Sequence, residues 1–343
     1  MDTRTQEILK SVVVNYILTG EPVGSRTVSR MTREGLSPAS VRNVMADLEE
    51  SGFLAQPHTS AGRIPTDKAY RYYVDHLAAY DPLAADDRAA IREALAGPGS
   101  EPGGAMELVP KLLSRLSRQV GCFVAPPIAD AVLKHIEFVR LGERRVVALF
   151  VDRMGSVSHR LLETAEDYTQ PDLDRAGRYL VEEFSGKTLR VIRSALVSLM
   201  AQEKAAFDHL LRSAVTLGTS CLMPEPEDRR LVLEGTTNIM KAPEFADIGT
   251  MRRLFETFEE KHRLVGLLDR CMNQPGVRVV IGSESADPAL HDLSLVLSRY
   301  PGDERSAGVF GILGPTRMAY DRAVALVDYI SRLLSASLTR PPA

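Results

Sequence analysis

Between Ser37 and Gly52 the chain spells out one helix with marked ends, and the sorting of its faces constrains what can surround it. Ser37 carries an N-cap side chain, Pro38 suits the first helical position, and Gly52 supplies a stop. At about 100° per residue, Val41, Val44, Met45 and Leu48 fall in one wedge that must pack against other elements. Arg42, Asn43 and Ala46 fall opposite, with Ala39 and Ser40 flanking them near the helix start. Arginine and asparagine make two-point contacts to guanine and adenine, and alanine leaves room for a thymine methyl. In isolation this pair reads as a solvated face, because such pairs are common. Its neighbours decide between the two readings.

Upstream, Thr3 to Thr19 reads as a helix with capping-box spacing at Thr3 and Gln6 and with Gly20 as its stop. Ser25 is placed to cap a second helix that ends near Arg33, and Glu34-Gly35-Leu36 makes the turn into the third. Arg26, Arg30 and Arg33 share a narrow stripe opposite Val28 and Met31. In a helix-turn-helix the first helix of the pair crosses the phosphate backbone. These arginines and Ser37 are therefore candidate backbone contacts, against the alternative of a charged exterior with Arg33 favoured by the helix dipole.

Downstream, Ser51 to Thr66 contains no acidic residue, although acids are frequent on both sides. Ala61-Gly62 forms the tip of a candidate wing, and His58, Thr59, Ser60 and Arg63 offer donors to phosphate or the minor groove. A plain hairpin turn would need no such absence of acid. Residues 1–75 hold nine Lys+Arg and nine Asp+Glu, and the whole chain has a net charge of −3. A general basic coat is therefore excluded, and DNA binding must depend on where the charges point.

The remaining chain has ordinary globular composition, with 44% hydrophobic and 25% charged residues. No apolar run approaches the roughly 18 residues that span a bilayer, and the N-terminus lacks the order of a signal peptide. Cys122, Cys221 and Cys271 are scattered, which suits a reducing cytoplasm. Gly97 to Gly104 is the clearest linker. Strand-like runs fall at Cys122–Pro126, Lys134–Leu141, Arg145–Asp152 and Val157–Leu162, then again at Val277–Gly282, Leu293–Tyr300 and Gly308–Leu313. Helical patterns cover about Asp172 to Gly218, Thr250 to Asn273 and Met318 to Leu338, with a possible hairpin at Leu231–Met240. Strands that stop and then resume suggest one sheet domain with an inserted body, set near Lys187–Ala246.

Enzymatic and metal chemistry find no constellation. The seven histidines show no H-x-x-x-H or His–Cys spacing. Ser185-Gly186-Lys187-Thr188 ends like a phosphate-binding loop, but Val181 stands where its first glycine belongs. Gly282-Ser283-Glu284-Ser285-Ala286 lacks the serine and glycine positions of a nucleophile elbow. Gly308, Gly311 and Gly314 read as a closely packed strand. The expectation is a non-enzyme without cofactor or metal.

The run SPASVRNVMADLEESGFL followed by QPHTSAGRIPTDKAYRYYVD strongly resembles the HrcA heat-inducible transcription repressors, as does GVFGILGPTRMAYDRAVALVDYI at Gly308–Ile330. The middle matches in layout more than in wording. The resemblance implies an α+β multidomain chain: a winged helix-turn-helix at 1–78, a short helix and linker at 79–104, a split GAF-like α/β domain at 105–186 and 247–343, and an inserted dimerisation domain at 187–246. It further implies a cytoplasmic homodimer on an inverted-repeat double-stranded DNA operator called CIRCE, upstream of chaperone operons, with the chaperonin GroEL keeping the repressor active. A two-fold protein suits a palindromic site. The other readings are a ligand-responsive regulator with the GAF-like domain as sensor, and a scaffold whose winged helix contacts protein.

Overall fold

The computed structural model describes residues 1–32, 35–58, 61–76, 83–96, 102–125, 130–153, 155, 157–201, 209–221, 231–240, 242–260, 264–266, 268, 276–285, 287–300 and 308–338. Its first part is α1 (Thr3–Thr19), α2 (Ser25–Met31), α3 (Pro38–Glu50), the two-residue strands β1 (Leu54–Ala55) and β2 (Ile64–Pro65), and α4 (Asp67–Asp75). α1 is capped by Asp2, whose carboxylate accepts from the Thr5 amide, so the expected Thr3–Gln6 box lies one residue too late. Gly20 ends it in the left-handed region at φ 72°, where glycine carries no steric penalty. α2 begins at Ser25 itself, with Gly24 as its uncapped lead. Ser25 is thus a helical residue and not the cap.

A short helix α5 (Ala85–Ala96) leads to α6 (Pro102–Ser117), so the last three residues of the expected linker already belong to a helix with proline at its first position. The strands then follow as β3 (Val120–Val124), β4 (Leu133–Gly142), β5 (Arg145–Asp152) and β6 (Val157–Glu163). Next come α7 (Gln170–Phe184), α8 (Leu189–Ala201) and α9 (His209–Cys221), then β7 (Leu231–Glu234). The chain continues through α10 (Thr236–Ile239), α11 (Ile248–Glu259), β8 (Arg278–Ile281), β9 (Leu293–Tyr300), β10 (Gly308–Pro315) and a last helix, α12 (Tyr320–Leu338). The expected hairpin at Leu231–Met240 is instead a strand followed by a helical turn, because Gly235 takes φ 73° and turns the chain into α10. Among the described residues no helix is long and apolar enough to cross a membrane.

Strand pairing corrects the expected position of the insertion. β7, β3, β10, β9 and β8 form one five-stranded antiparallel sheet, while β4, β5 and β6 form a separate three-stranded one. β7 pairs with β3 through Gly121–Glu234 and Val124–Leu231, so residues 231–234 belong to the larger sheet and not to an insertion. Lys187 and Thr188 are held to β4: the Leu133 amide donates to Lys187 O at 3.0 Å and Val132 bridges Thr188. The second body therefore includes Leu133–Glu163 and extends through α9; it does not begin at residue 187. Its core, which includes Phe138, Phe150, Leu173, Leu180 and Leu196, is separate from the other cores.

The inner strands β3 and β10 are buried on both faces, which is why they read as continuous apolar runs, while the edge strands β7 and β8 are only partly buried. Phe123, Val296, Phe310 and Ile312 face α6, α12 and the N-terminal helices in a shared core with Ile8, Val12, Val41 and Tyr70. Val120, Val124, Leu295, Val309 and Leu313 face the other way, with Leu254 and Phe258 of α11. The glycines permit close approach. A Cβ at Gly311 would lie 2.1 Å from Val296 O, and one at Gly121 would lie 2.0 Å from Pro110 O.

Polar contacts also join the N-terminal helices to this sheet. Asp67 Oδ2 accepts from the Ser283 amide at 2.9 Å and its hydroxyl at 2.7 Å. Arg71 sets Nε and Nη2 on the two Glu284 oxygens at 2.6 and 2.5 Å, and Nη2 also donates to Val279 O at 2.7 Å. Burial raises the Glu284 pKa, but donation from Arg71 and from the Ile281 amide outweighs it, and the carboxyl is held below its ordinary value. Arg317 pairs with Glu244 and donates from Nη1 to Ile17 O at 2.9 Å. The Tyr70 hydroxyl, packed against Tyr320, is buried and finds no hydrogen-bond partner among the described residues.

Candidate nucleic-acid interface

α3 is a capped helix with one buried and one exposed face. The Ser37 hydroxyl accepts from the Ser40 amide at 3.1 Å, and Pro38 opens the helix as its sequence requires. Ser37 and Ser40 share a hydroxyl contact of 3.0 Å at the exposed helix start. Val41, Met45 and Leu48 are buried, while Val44 is half-buried against the same core. Arg42 and Asn43 are exposed, and Ala46 is half-buried between the faces. The wedge expected from sequence thus packs inward, and the polar face stays clear.

α2 lies against α3 with Val28 fully buried and Arg26 and Arg30 exposed. Among the described residues, Arg26, Arg30 and Arg42 form no ion pair. Three guanidinium groups without a carboxylate partner are available to an anion, which is the electrostatic requirement for contacting a phosphate backbone. Met31, expected to share the packed stripe with Val28, is 40% exposed and accepts a 3.6 Å contact from Asn15. α2 is only seven residues long, so its last turn leaves the core. Arg33, Thr59 and Ser60 lie outside the described residues.

The loop after α3 is stitched at its base. β1 and β2 pair through Leu54–Pro65 and Ala55–Ile64, and Val23 adds an antiparallel bridge to Arg63. Val23 and Arg63 exchange both backbone hydrogen bonds, at 2.8 and 2.9 Å. A Cβ on Gly62 would sit 2.5 Å from the Val23 carbonyl, so only glycine allows this approach. His58 is exposed beyond these rungs, and its carbonyl accepts from the Ala61 amide at 2.9 Å.

Arg63 differs from the expected free wing donor. Its side chain is only 21% exposed, and Nε lies 2.8 Å from Glu49 Oε2 of α3. The contact is ionic without the alignment of a hydrogen bond. Arg63 therefore ties the loop to the far end of α3, and the acid at Glu49 is neutralised locally. Lys68 supplies a second tie that the sequence did not announce: Nζ donates to Ser51 O at 2.8 Å and sits 4.4 Å over the Phe53 ring. Thr66 adds a hydroxyl donation to Gly52 O at 2.8 Å. The end of α3, the loop base and the start of α4 are thus one hydrogen-bonded unit.

An exposed polar helix face, flanked by arginines that form no ion pair among the described residues and braced by a short strand pair, has the features of a nucleic-acid-binding protein. Comparison with known proteins makes this specific. Residues 104–324 match the family described as HrcA protein C terminal domain. The heat-inducible transcription repressor HrcA of Geobacter sulfurreducens is 43% identical over 335 residues, covering 98% of this chain and 97% of its own. That of Syntrophobacter fumaroxidans is 39% identical over 342 residues, covering 99% and 98%. A crystal structure of a hypothetical protein at 2.2 Å resolution shares the fold, with a TM-score of 0.68, 24% identity and 99% coverage of both chains. The chain is a transcription repressor by this kinship. It belongs to the HrcA family.

Proposed function

We propose that this repressor acts as a homodimer on an inverted-repeat operator of the CIRCE type, and so holds down heat-shock chaperone transcription. The observation that carries this reading is α3 itself, with its apolar wedge buried and Arg42 and Asn43 exposed. The N-terminal part acts as a winged helix: α3 enters the major groove with Arg42, Asn43, Ser40 and Ala46 toward base edges. Arg26, Arg30, Arg33 and Ser37 take backbone contacts. His58, Thr59 and Ser60 serve as the wing's donors to phosphate or the minor groove, and Arg63 fastens the loop to α3. The five-stranded sheet serves as the GAF-like body, and the second body, containing β4 to β6 and α7 to α9, serves as the dimerisation unit. GroEL maintains the active form, as the family resemblance implies.

One feature of the second body supports pairing. α7 packs on one face of β4–β6, where Gly177 lets it approach Ile136 O. The register puts Val139, Val147 and Leu161 in one row on the opposite face, with Leu149, Val151 and Val157 beside them. Val157 is 60% and Leu161 49% exposed. His135, Glu137 and His159 share this face, so it presents an apolar row among polar side chains, and exposed Val157 and Leu161 favour it as an interaction surface. The sensor reading has no such support, since the inner strands β3, β9 and β10 commit both faces to packing.

Fluorescence anisotropy with CIRCE duplex and random duplex tests the reading. Arg42→Ala is expected to weaken specific binding by ~1–3 kcal/mol and relax discrimination at one base position. An unchanged titration would remove α3 from the reading role. Adding GroEL to the same assay is expected to raise the active fraction, and a constant fraction would remove the chaperonin.

A further inference from the structure

The N-terminal helices meet the sheet body through two physically different kinds of contact. The shared core of Ile8, Tyr70, Phe310 and Tyr320 holds the parts together. Apolar burial is non-directional, so this core by itself leaves some freedom of angle. The polar contacts of α4 are directional. A forked guanidinium–carboxylate pair fixes both partners' planes, and Arg71 and Glu284 make two such bonds at 2.6 and 2.5 Å. Asp67 adds two bonds to Ser283, and a Cβ on Gly282, which takes φ +45°, would lie 2.5 Å from the Asp67 carboxylate. Through Lys68 on Ser51 O and Thr66 on Gly52 O, the direction of α4 is passed to the end of α3.

We propose that the Asp67–Ser283 and Arg71–Glu284 pairs form a latch that fixes the direction of α3 relative to the five-stranded sheet, making these four residues determinants of the half-site spacing that a paired repressor accepts. The latch rests on the reading of α3 as the base-reading helix of a homodimer. DNA turns once in about 10 base pairs, so each base pair added between half-sites both shifts and rotates the second one. Two firmly directed reading helices match one separation. Loosened ones sample several directions and tolerate several separations, at lower peak affinity.

The test is a spacing profile on the full-length chain. Wild type, Glu284→Gln, Ser283→Ala and Arg71→Lys are titrated by anisotropy against the CIRCE duplex and against versions lengthened one base pair at a time to about half a turn. A duplex with a single half-site and a random duplex complete the set. Wild type is expected to lose about 100-fold across the series as simultaneous engagement fails. Each latch variant is expected to lose about tenfold less across the same series, with single half-site affinity unchanged. Arg71→Lys keeps the charge but lacks the fork, so it separates direction from simple attraction. Ser283→Ala removes one hydroxyl and keeps the question answerable if Glu284→Gln fails to fold, as judged by melting and sedimentation mass. Variant profiles that superimpose on wild type would overturn the latch while leaving DNA reading intact, as would an equal loss on the single half-site. A wild type that binds CIRCE and random duplex alike would overturn the underlying reading and the latch together.

Discussion

The N-terminal helices share one continuous core with the five-stranded sheet, whereas the three-stranded sheet keeps a core of its own and, among the described residues, leaves Val157 and Leu161 of its other face exposed. The two regions thus dispose of their apolar surface differently. In the first, Ile8, Val41 and Tyr70 are completed by Phe310, Ile312 and Val324, so α3 and the sheet bury one apolar interior between them. In the second, Ile136, Phe138 and Phe150 are covered by α7, but Val157 and Leu161 remain exposed. The difference teaches that separate cores permit separate tasks. One region packs against the rest of the chain, and the other is the part that the proposed pairing would complete.

The largest effect is expected from Gly311→Ala. The added methyl meets Val296 O at 2.1 Å, and overpacking of this kind costs about 3 kcal/mol. Because the core is shared, hydrogen exchange is expected to rise together in β10 and α1 while α7 keeps its protection. Retained protection in α1 would show that the N-terminal helices stand alone. Next in size is Leu161→Asp on the uncovered face, expected to preserve the melting transition but weaken pairing by about 2 kcal/mol. Sedimentation would then show mass shifting toward monomer, and an unaltered mass would discard this face as the pairing surface.

A smaller effect is expected in the shared core. Tyr70→Phe removes a buried hydroxyl that has no partner among the described residues, so stability is expected to rise by about 1 kcal/mol, read from denaturant midpoints. A fall would mean that the hydroxyl is satisfied. The smallest effect concerns pH. The folded Glu284 pKa is depressed, so its contribution is complete above the ordinary value of 4.5 and is lost as pH falls through the lowered folded value. The difference in stability between wild type and Glu284→Gln should therefore stay constant from about pH 7 to 5 and shrink only in stronger acid. A difference already shrinking at neutral pH would contradict the paired geometry.

How much of this was legible in the chain depended on the range of the interaction. Ser37-Pro38 and the Val41–Leu48 wedge are local, and the structure places them as the sequence reads. All the strand-like runs appear, because alternating or continuous apolar runs report burial directly. The insertion was misplaced because periodicity cannot say which strand pairs with which. Only the bridge from Val132 to Thr188 and the pairing of β7 with β3 reveal its edges. Arg63 looked free because its partner Glu49 sits on another element, 14 residues away in sequence. The Arg71–Glu284 pair spans 213 residues, and no short motif can signal it.

Gly62 shows how little separates a working loop from a misplaced one. Its missing side chain is what lets the loop backbone lie against Val23, between α1 and α2. A single methyl group there would push apart strands whose own ladder is only two residues long. The reach of the loop is therefore set by an atom the chain omits, and any replacement at this position would change the tool's shape while leaving every proposed contact residue in the sequence.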